Sequence, residues 1–445
     1  MRGAEPGTRA RSRRWPPLLG CCLAVLAGAP SVLGCGAKTG LDAPDPPLEN
    51  PEPVPPDGGP SDDDDPDVDP PPPVPPVCIE LPPTAPPFEA EVVVPAILTS
   101  VDVFFLLDAT GSMVDEIDNV RAGLRERVVP GVRAVIPDAA FGVGLVGEFP
   151  VSPHGDPGVR PFELRMPITS SVIEVESALE RLPEWANRDE PEAQVEGLYQ
   201  VATGNGYEGP GRIPPSRGCP RGGTGGGCFR DEALPVVLLV TDAPFHEGPP
   251  GVDPVSPYRF TPRPHRYEEA LAGLRALGAL VLGLGARDTG AQSPMAHLRA
   301  IARDTGALDR SGDPLVINIG ASGDRVGQGV VDAIELLASE VPLDVDAVIR
   351  DVGGDAFDAT AFIEDLRVLR ADPASGAERI EGPRAIGTVP GTRLTFGLTV
   401  DPSGLDLERD EQVRLRARLV VRAFERSVLA TVPVEILVGD GPLGC

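Results

Sequence analysis

Short apolar runs alternate with amphipathic segments through the middle of the chain, and this alternation limits the possible folds more than any other feature. The apolar runs are VDVFFLL, FGVGLVG, LPVVLLV, ALVLGLG and PLVINIG. Continuous runs of this kind are typical of strands buried on both faces of a sheet. Helical periodicity appears between them, near residues 114–128, 172–182, 191–203, 266–277, 294–305 and 325–339. The alternation predicts an α/β domain over residues 99–340 with a mainly parallel sheet.

The last part of the chain, residues 341–445, has a different pattern. Segments such as TRLTFGLTV, QVRLRARLVVRAF and TVPVEILV alternate apolar and polar residues and are separated by turns. This pattern predicts an all-β, sandwich-like domain. Another strand is predicted within 78–98, before the α/β domain. We expect residues 78–98 to belong to the C-terminal β domain, so that the α/β domain is inserted within it.

The first 34 residues have the pattern of a signal peptide. Arginines cluster between residues 9 and 14, and an apolar stretch from Leu18 to Leu33 follows, which is short for a membrane span. Val32-Leu33-Gly34-Cys35 looks like a bacterial lipobox, in which Cys35 becomes the lipidated first residue. A plain secreted protein is the alternative. We therefore expect an exported protein of the bacterial cell envelope, an outer-membrane or cell-surface lipoprotein.

Residues 36–77 are dominated by proline and aspartate and lack apolar periodicity. Such a segment predicts a disordered, self-repelling tether. At about 3 Å per residue it would extend on the order of 100 Å from a membrane. We expect the protein to meet a membrane only through its N-terminal lipid anchor.

The net charge limits the possible partners, and the cysteine content predicts covalent cross-links. The formal net charge of −28 excludes a nucleic-acid-binding surface of the usual basic kind. Four cysteines would remain after removal of the signal peptide and lipidation, and an even number in an exported chain predicts disulfides. Three pairings are possible. Closure of the Gly/Pro-rich loop at 205–230 by one pair would leave the other to join the ends of the β domain: Cys219 with Cys228, and Cys78 with Cys445. A zinc site is the rival interpretation, but no suitably spaced histidines accompany these cysteines.

Oxygen-bearing side chains follow two of the apolar runs. Asp108 ends VDVFFLLD and is followed by Thr110 and Ser112, and Asp242 ends LPVVLLVTD. In open α/β sheets, ligands bind beyond the carboxyl ends of the strands, where these residues would lie. Carboxylate and hydroxyl oxygens suit hard cations such as Mg²⁺. The alternative, that Asp108 only caps the next helix, leaves the second aspartate without a role.

These motifs resemble the von Willebrand factor A (VWA) family, and within it the I-like domain of integrin β subunits. Asp108-Ala-Thr110-Gly-Ser112 matches the metal-ion-dependent adhesion site pattern DxSxS, with threonine as its middle residue. Residues 241–246 (TDAPFH) match the family's TDAxFH, and residues 187–192 (NRDEPE) match NRDxPE. The resemblance implies a doubly wound, Rossmann-like parallel sheet. It also implies a central Mg²⁺ held by Asp108, Thr110, Ser112, Glu192 and Asp242.

The same resemblance implies two flanking ions, for which Ca²⁺ is a candidate. One would be held by Glu148, Asn187, Asp189, the Pro191 carbonyl and Glu192. Glu148 stands where the family has a shorter aspartate. The other would be held by Asp115 and Glu116, although acids at the start of a helix are also favoured by the helix dipole alone. The long disulfide-bonded specificity loop of integrin β subunits is missing, because residues 154–162 are short and lack cysteine.

The predicted function is a surface-tethered, divalent-cation-dependent adhesion or protein-interaction module. Its protein partner would complete the metal ion with an Asp or Glu. The alternative is a structural envelope protein in which bound ions serve only stability. A metal-dependent hydrolase is the third possibility. We expect no enzyme, because the chain has four histidines and neither a GxSxG nor an HExxH motif.

Overall fold

The computed structural model describes residues 74–445 with short gaps. The gaps are 181, 184, 186–187, 189, 288–289, 291, 321–322, 324, 355–356, 406, 408–410, 441–443 and 445, and the side chains of Asp115 and Val120. The predicted signal peptide, the lipidation candidate Cys35 and most of the tether therefore lie outside the described residues. Asn187, Asp189 and Cys445 lie outside them as well.

The middle of the chain forms a six-stranded sheet whose strands are β3 (Ser100–Asp108), β4 (Asp138–Val146), β5 (Glu163–Thr169), β6 (Leu234–Thr241), β7 (Leu280–Gly285) and β8 (Val316–Asn318). Its order is β5-β4-β3-β6-β7-β8, and only the β4–β5 pair is antiparallel. The prediction of a mixed α/β region with parallel strands is confirmed. Because β3 lies between β4 and β6, the carboxyl ends of these three strands meet at one edge.

Helices cover both faces of this sheet. They are α1 (Val114–Gly123), α2 (Val129–Val135), α3 (Val172–Leu179), α4 (Gln194–Thr203), α5 (Tyr267–Leu277), α6 (Met295–Thr305) and α7 (Val326–Glu340), with a π-helical turn at Leu124–Val128. Side chains of a strand point alternately to the two faces. Phe104 and Leu106 accordingly pack in the apolar cluster of α4, α5 and α6. Phe105 and Leu107 pack in the cluster of the other four helices.

A β-rich region is built from the two ends of the described chain. Its strands are β1 (Val77–Leu81), β2 (Phe88–Pro95), β9 (Leu343–Asp351), β10 (Ile363–Asp372), β11 (Arg379–Glu381), β12 (Arg384–Thr388), β13 (Arg393–Val400), β14 (Gln412–Ala423) and β15 (Ser427–Gly439). They form two sheets, β1-β15-β14-β9-β12-β11 and β10-β13-β2. Strands that precede the α/β sheet thus pair with strands that follow it, β1 with β15 and β2 with β13.

The β14–β15 turn contacts the amino-terminal end of the α/β sheet. The Arg426 guanidinium donates hydrogen bonds to the carbonyl oxygens of Arg230 at 2.9 Å and Leu277 at 3.2 Å. The Val428 amide donates to the Glu232 carbonyl at 2.9 Å. This end of the sheet is therefore covered by the protein itself.

Cysteine pairing is described at one place in full. Cys219 and Cys228 form a disulfide with a Cα–Cα distance of 5.3 Å. Cys78 is also disulfide-bonded, and the partner predicted for it, Cys445, lies outside the described residues.

None of the helices within the described ranges is both long and apolar enough to span a membrane.

Candidate metal centre

The turn after β3 gathers the first three predicted ligands. Asp108 is fully buried at the end of the strand, and its Oδ1 accepts hydrogen bonds from the Thr110 amide at 3.1 Å and the Thr110 hydroxyl at 2.7 Å. The Thr110 and Ser112 hydroxyl oxygens are 3.2 Å apart. The chain then enters a 3₁₀ turn and α1. An acidic residue followed by two hydroxyls thus becomes a compact set of oxygen atoms because the turn is short.

Asp242 joins this set from the neighbouring strand. It directly follows β6, which pairs with β3 in parallel, so the two aspartates leave the sheet side by side. The Ser112 hydroxyl donates a hydrogen bond to Asp242 Oδ1 at 3.0 Å. Asp108, Thr110, Ser112 and Asp242, which the sequence analysis assigned to one metal, are therefore linked by one hydrogen-bonded chain.

The segment that contains Glu192 lies across the ends of two strands, β3 and β6. The Trp185 amide donates to the Ala109 carbonyl at 2.9 Å, next to Asp108. The Glu192 amide donates to the Pro244 carbonyl at 3.0 Å, and the Glu192 carbonyl accepts from the His246 amide at 2.8 Å. These backbone bonds hold the fully buried Glu192 between the turns that follow β3 and β6.

The electrostatics of the centre reflect an excess of buried negative charge. Burial and, next, the nearby charge of Asp242 raise the pKa of Asp108 to about 6, although hydrogen bonds from two threonines act in the opposite direction. Burial also raises the pKa of Asp242, although a hydrogen bond from Ser112 and the charge of Arg287 act against it. Ionisation of either carboxyl is thus less favourable than in water, and a further cation at this place would favour it.

Three residues of the centre were not found by sequence reasoning. Thr241 donates its hydroxyl proton to Asp108 Oδ2 at 2.7 Å, and Gln194 Nε2 is 2.9 Å from the Thr241 hydroxyl. Arg287, which follows β7, places Nη2 at 3.2 Å from Asp242 Oδ2. Thr241 belongs to the TDAPFH motif and could have been found from it. Gln194 and Arg287 have no motif of their own.

The predicted flanking ligands are only partly described. Glu148 is fully buried and accepts a hydrogen bond from the Tyr258 hydroxyl at 2.6 Å, while His246 Nε2 lies 3.5 Å from its other oxygen. Asn187 and Asp189 fall in the gaps, so the proposed set with Glu148, Pro191 and Glu192 stays a prediction. Glu116 is buried in the first turn of α1, and the side chain of Asp115 is not described.

The donor set is unlike that of a zinc or polycarboxylate site. Among the described residues, no three or more His, Cys, Asp or Glu side chains form a group that could hold a metal ion. The linked set consists instead of two carboxylates and two hydroxyls. Neutral oxygens combined with few carboxylates fit Mg²⁺, which keeps several exchangeable ligands in its octahedral shell. The residues present therefore fit the implied ion.

Comparison with known proteins gives limited matches. No protein-family model matches the sequence, and no curated protein matches it. The structure is similar to that of a von Willebrand factor type A protein from Catenulispora acidiphila, with a TM-score of 0.35 and 12% identity, over 81% of this chain and 72% of that one. It is also similar to the pilus adhesin SpaC from Lactobacillus rhamnosus GG in its open conformation, with a TM-score of 0.32 and 11% identity. That match covers 80% of this chain and 46% of the adhesin, so this chain spans less than half of the adhesin's length.

Proposed function

We propose that this protein is a divalent-cation-dependent adhesion or protein-interaction module of the VWA type, with the doubly wound sheet and rim chemistry of integrin β I-like domains. A protein partner would complete the metal ion with an Asp or Glu side chain. The hydrogen-bonded chain from Asp108 through Thr110 and Ser112 to Asp242 is the observation that carries this proposal. This chain connects the ends of two strands that are distant in sequence, and all of its side-chain atoms that could bind a metal ion are oxygens.

The charge of the donor set explains why a partner carboxylate would be attracted. Two carboxylates balance the charge of one divalent cation, and the two hydroxyls add no further negative charge. A metal ion held in this way remains a good acceptor for a third carboxylate. When bound, Mg²⁺ would supply this Lewis acidity. The side chains that would hold it in this way are Asp108, Thr110, Ser112 and Asp242.

Accessibility of the centre supports binding at the surface. Ser112 is exposed, whereas Asp108 and Thr110 are fully buried beneath it. An ion at this place would have fixed ligands below and open coordination positions above. The flanking acids would accept Ca²⁺ and add rigidity to the same edge.

The setting that we propose is the outside of a bacterial cell. The Cys219–Cys228 disulfide fits an oxidising compartment. We further propose that Cys35 carries a lipid and that the acidic, proline-rich tether displays the module away from the membrane.

Binding rather than catalysis is proposed because His246, the histidine in the TDAPFH motif, is buried with Nδ1 held 2.8 Å from the Ser256 carbonyl.

Calorimetric titration of the purified protein with Mg²⁺ tests the metal centre. We expect binding by the wild type and its loss in Asp108→Ala, because the buried carboxylate is the central ligand. Asp118→Ala, on the exposed side of α1, is the matched control and should bind as the wild type does. Equal Mg²⁺ binding by wild type and Asp108→Ala would contradict the assignment.

Selection of peptides from a displayed library on the immobilised protein tests the ligand. Peptides retained in Mg²⁺ and released by EDTA should contain an essential Asp or Glu, and replacement by Asn or Gln should abolish retention. Metal binding without any EDTA-sensitive peptide retention would instead support an ion that serves stability alone.

A further inference from the structure

Arg287 lies at the edge of the candidate metal centre and contacts it directly. Its Nη2 is 3.2 Å from Asp242 Oδ2, and its Nη1 is 3.2 Å from Glu190 Oε2. The Arg287 side chain is 39% exposed, whereas that of Asp242 is 9% exposed. A single guanidinium thus bridges one buried carboxylate of the centre and one carboxylate at its surface.

The backbone holds Arg287 at this place. The preceding residue, Ala286, donates its amide proton to the Thr241 carbonyl at 3.1 Å, which aligns the end of β7 with the end of β6. The Ser293 hydroxyl donates to the Arg287 carbonyl at 3.0 Å. The position of the guanidinium next to Asp242 therefore follows from strand pairing and from the hydrogen bond of Ser293.

A guanidinium and a divalent cation at the same carboxylate repel each other. Asp242 cannot direct its full charge to both, so metal binding must weaken the Arg287–Asp242 pair. Glu190 would keep the released guanidinium at the edge of the site. There its planar N–H donors would match the carboxylate of a ligand. One oxygen of that carboxylate could bind the metal ion while the other accepts from the guanidinium.

We propose that Arg287 is the internal counter-cation of the metal centre, which leaves Asp242 when a divalent cation binds and then donates to the second oxygen of the partner's carboxylate. This inference rests on the proposed metal-dependent function. It makes Arg287 a specificity-determining residue, because a carboxylate ligand would gain a second anchor that an amide or hydroxyl ligand would not. Arg287 would also lower metal affinity while no ligand is bound.

The two parts of this role predict opposite effects of the Arg287→Gln substitution. Mn²⁺, which also prefers oxygen ligands, serves as the probe. We expect Mn²⁺ to bind Arg287→Gln about 5-fold more tightly than the wild type in calorimetry at low ionic strength, the scale of a partly exposed ion pair. We expect N-acetyl-aspartate amide to bind the Mn²⁺-loaded variant about 5-fold more weakly. Displacement of Mn²⁺-bound water, followed by proton relaxation, measures this second step.

Arg299→Gln serves as the control, and Glu190→Gln tests the contribution of the second acid that pairs with Arg287. Arg299→Gln removes an exposed arginine of α6 and should change neither affinity. Glu190→Gln should weaken Mn²⁺ binding about 2-fold, because Arg287 would then pair with Asp242 alone.

The outcomes separate this inference from the function on which it rests. If Mn²⁺ binds to wild type and Arg287→Gln with equal affinity, Arg287 is not a counter-cation and the inference is overturned while the metal centre stands. If Mn²⁺ binds more tightly but the aspartate probe is unaffected, the role in ligand recognition is overturned. If neither protein binds Mn²⁺, the metal centre itself is wrong and the inference fails with it.

Discussion

Asp102 and Asp108 lie near opposite ends of β3, and both are fully buried. Asp102 faces a cation of the same chain, since Arg230 Nε lies 2.6 Å from its Oδ1. Asp108 accepts hydrogen bonds from neutral donors, namely the Thr110 and Thr241 hydroxyls, the Thr110 amide and, at 3.5 Å, Gln194 Nε2. Burial raises the pKa of both carboxyls, but Arg230 opposes the shift at Asp102, whereas the charge of Asp242 adds to it at Asp108.

This difference distinguishes a structural end of the sheet from a binding end. At the amino-terminal end, Arg230 also pairs with Asp138 at 2.6 Å, and Arg426 from the β14–β15 turn covers the same place. Buried charge there is compensated within the protein. At the carboxyl-terminal end, Asp108 accepts from neutral donors, and Asp242 pairs with the partly exposed Arg287. We interpret the uncompensated charge at that end as the reason why it would take up a cation from solution.

Substitution of Arg230 should give the largest effect. Arg230→Ala leaves Asp102 buried without its cation, and loss of one partner of a buried pair typically costs about 3–5 kcal/mol. Because the Arg230 side chain is 36% exposed, we expect the lower part of this range, about 3 kcal/mol of unfolding free energy. Urea unfolding in EDTA measures it.

The control for Arg230→Ala is Arg299→Ala, an exposed arginine that should change stability by no more than about 0.5 kcal/mol. A loss of less than about 1 kcal/mol in Arg230→Ala would remove the contrast between the two ends of β3.

Asp108→Asn should have the opposite sign in the metal-free protein. The folded-state pKa of about 6 is above the unfolded value of 3.8, so this residue contributes stability below about pH 4 that is lost as the pH rises through 6. Replacement by neutral Asn should therefore stabilise the metal-free protein at pH 7 by about 2 kcal/mol. It should also remove the decline of stability between pH 4 and about 7 that the wild type shows.

Thermal and urea unfolding in EDTA at several pH values test Asp108→Asn, with exposed Asp118→Asn as the control. Addition of Mg²⁺ should stabilise the wild type and Asp118→Asn but not Asp108→Asn. Destabilisation of metal-free Asp108→Asn at pH 7 would show that the buried carboxylate is compensated after all.

Arg426 should give the smallest effect of the three. Its guanidinium donates to the carbonyls of Arg230 and Leu277 and to the Thr224 hydroxyl at 2.9 Å. Burial opposes this gain, since it lowers the pKa of Arg426, and Nε has no hydrogen-bond partner within the described part of the chain. We therefore expect Arg426→Ala to lose about 1 kcal/mol, measured by urea unfolding, with Mg²⁺ affinity unchanged. A change in Mg²⁺ affinity would show that the two ends of the sheet are coupled.

Much of the α/β region could be predicted from local pattern. Each apolar run became a strand because its length and composition suit a sheet covered on both faces. The ends of those runs also located Asp108 and Asp242, because polar residues first appear where the strand leaves the core. The helix predicted at 191–203 starts three residues later in the structure, because α4 begins at Gln194. The preceding residues are held in extended pairing by the turn after β6.

The sequence by itself determined which side chains stand at the ends of strands, because burial and alternation are local properties of the chain. Tertiary structure alone decided which of them meet. Ser112 reaches Asp242 across 130 residues, and Arg287 reaches it across 45, in each case through the order of β3, β6 and β7 in the sheet. Strand order is set by packing of the whole domain, and no local periodicity encodes it. The same packing gave Asp102 an arginine and left Asp108 with neutral donors and a second acid.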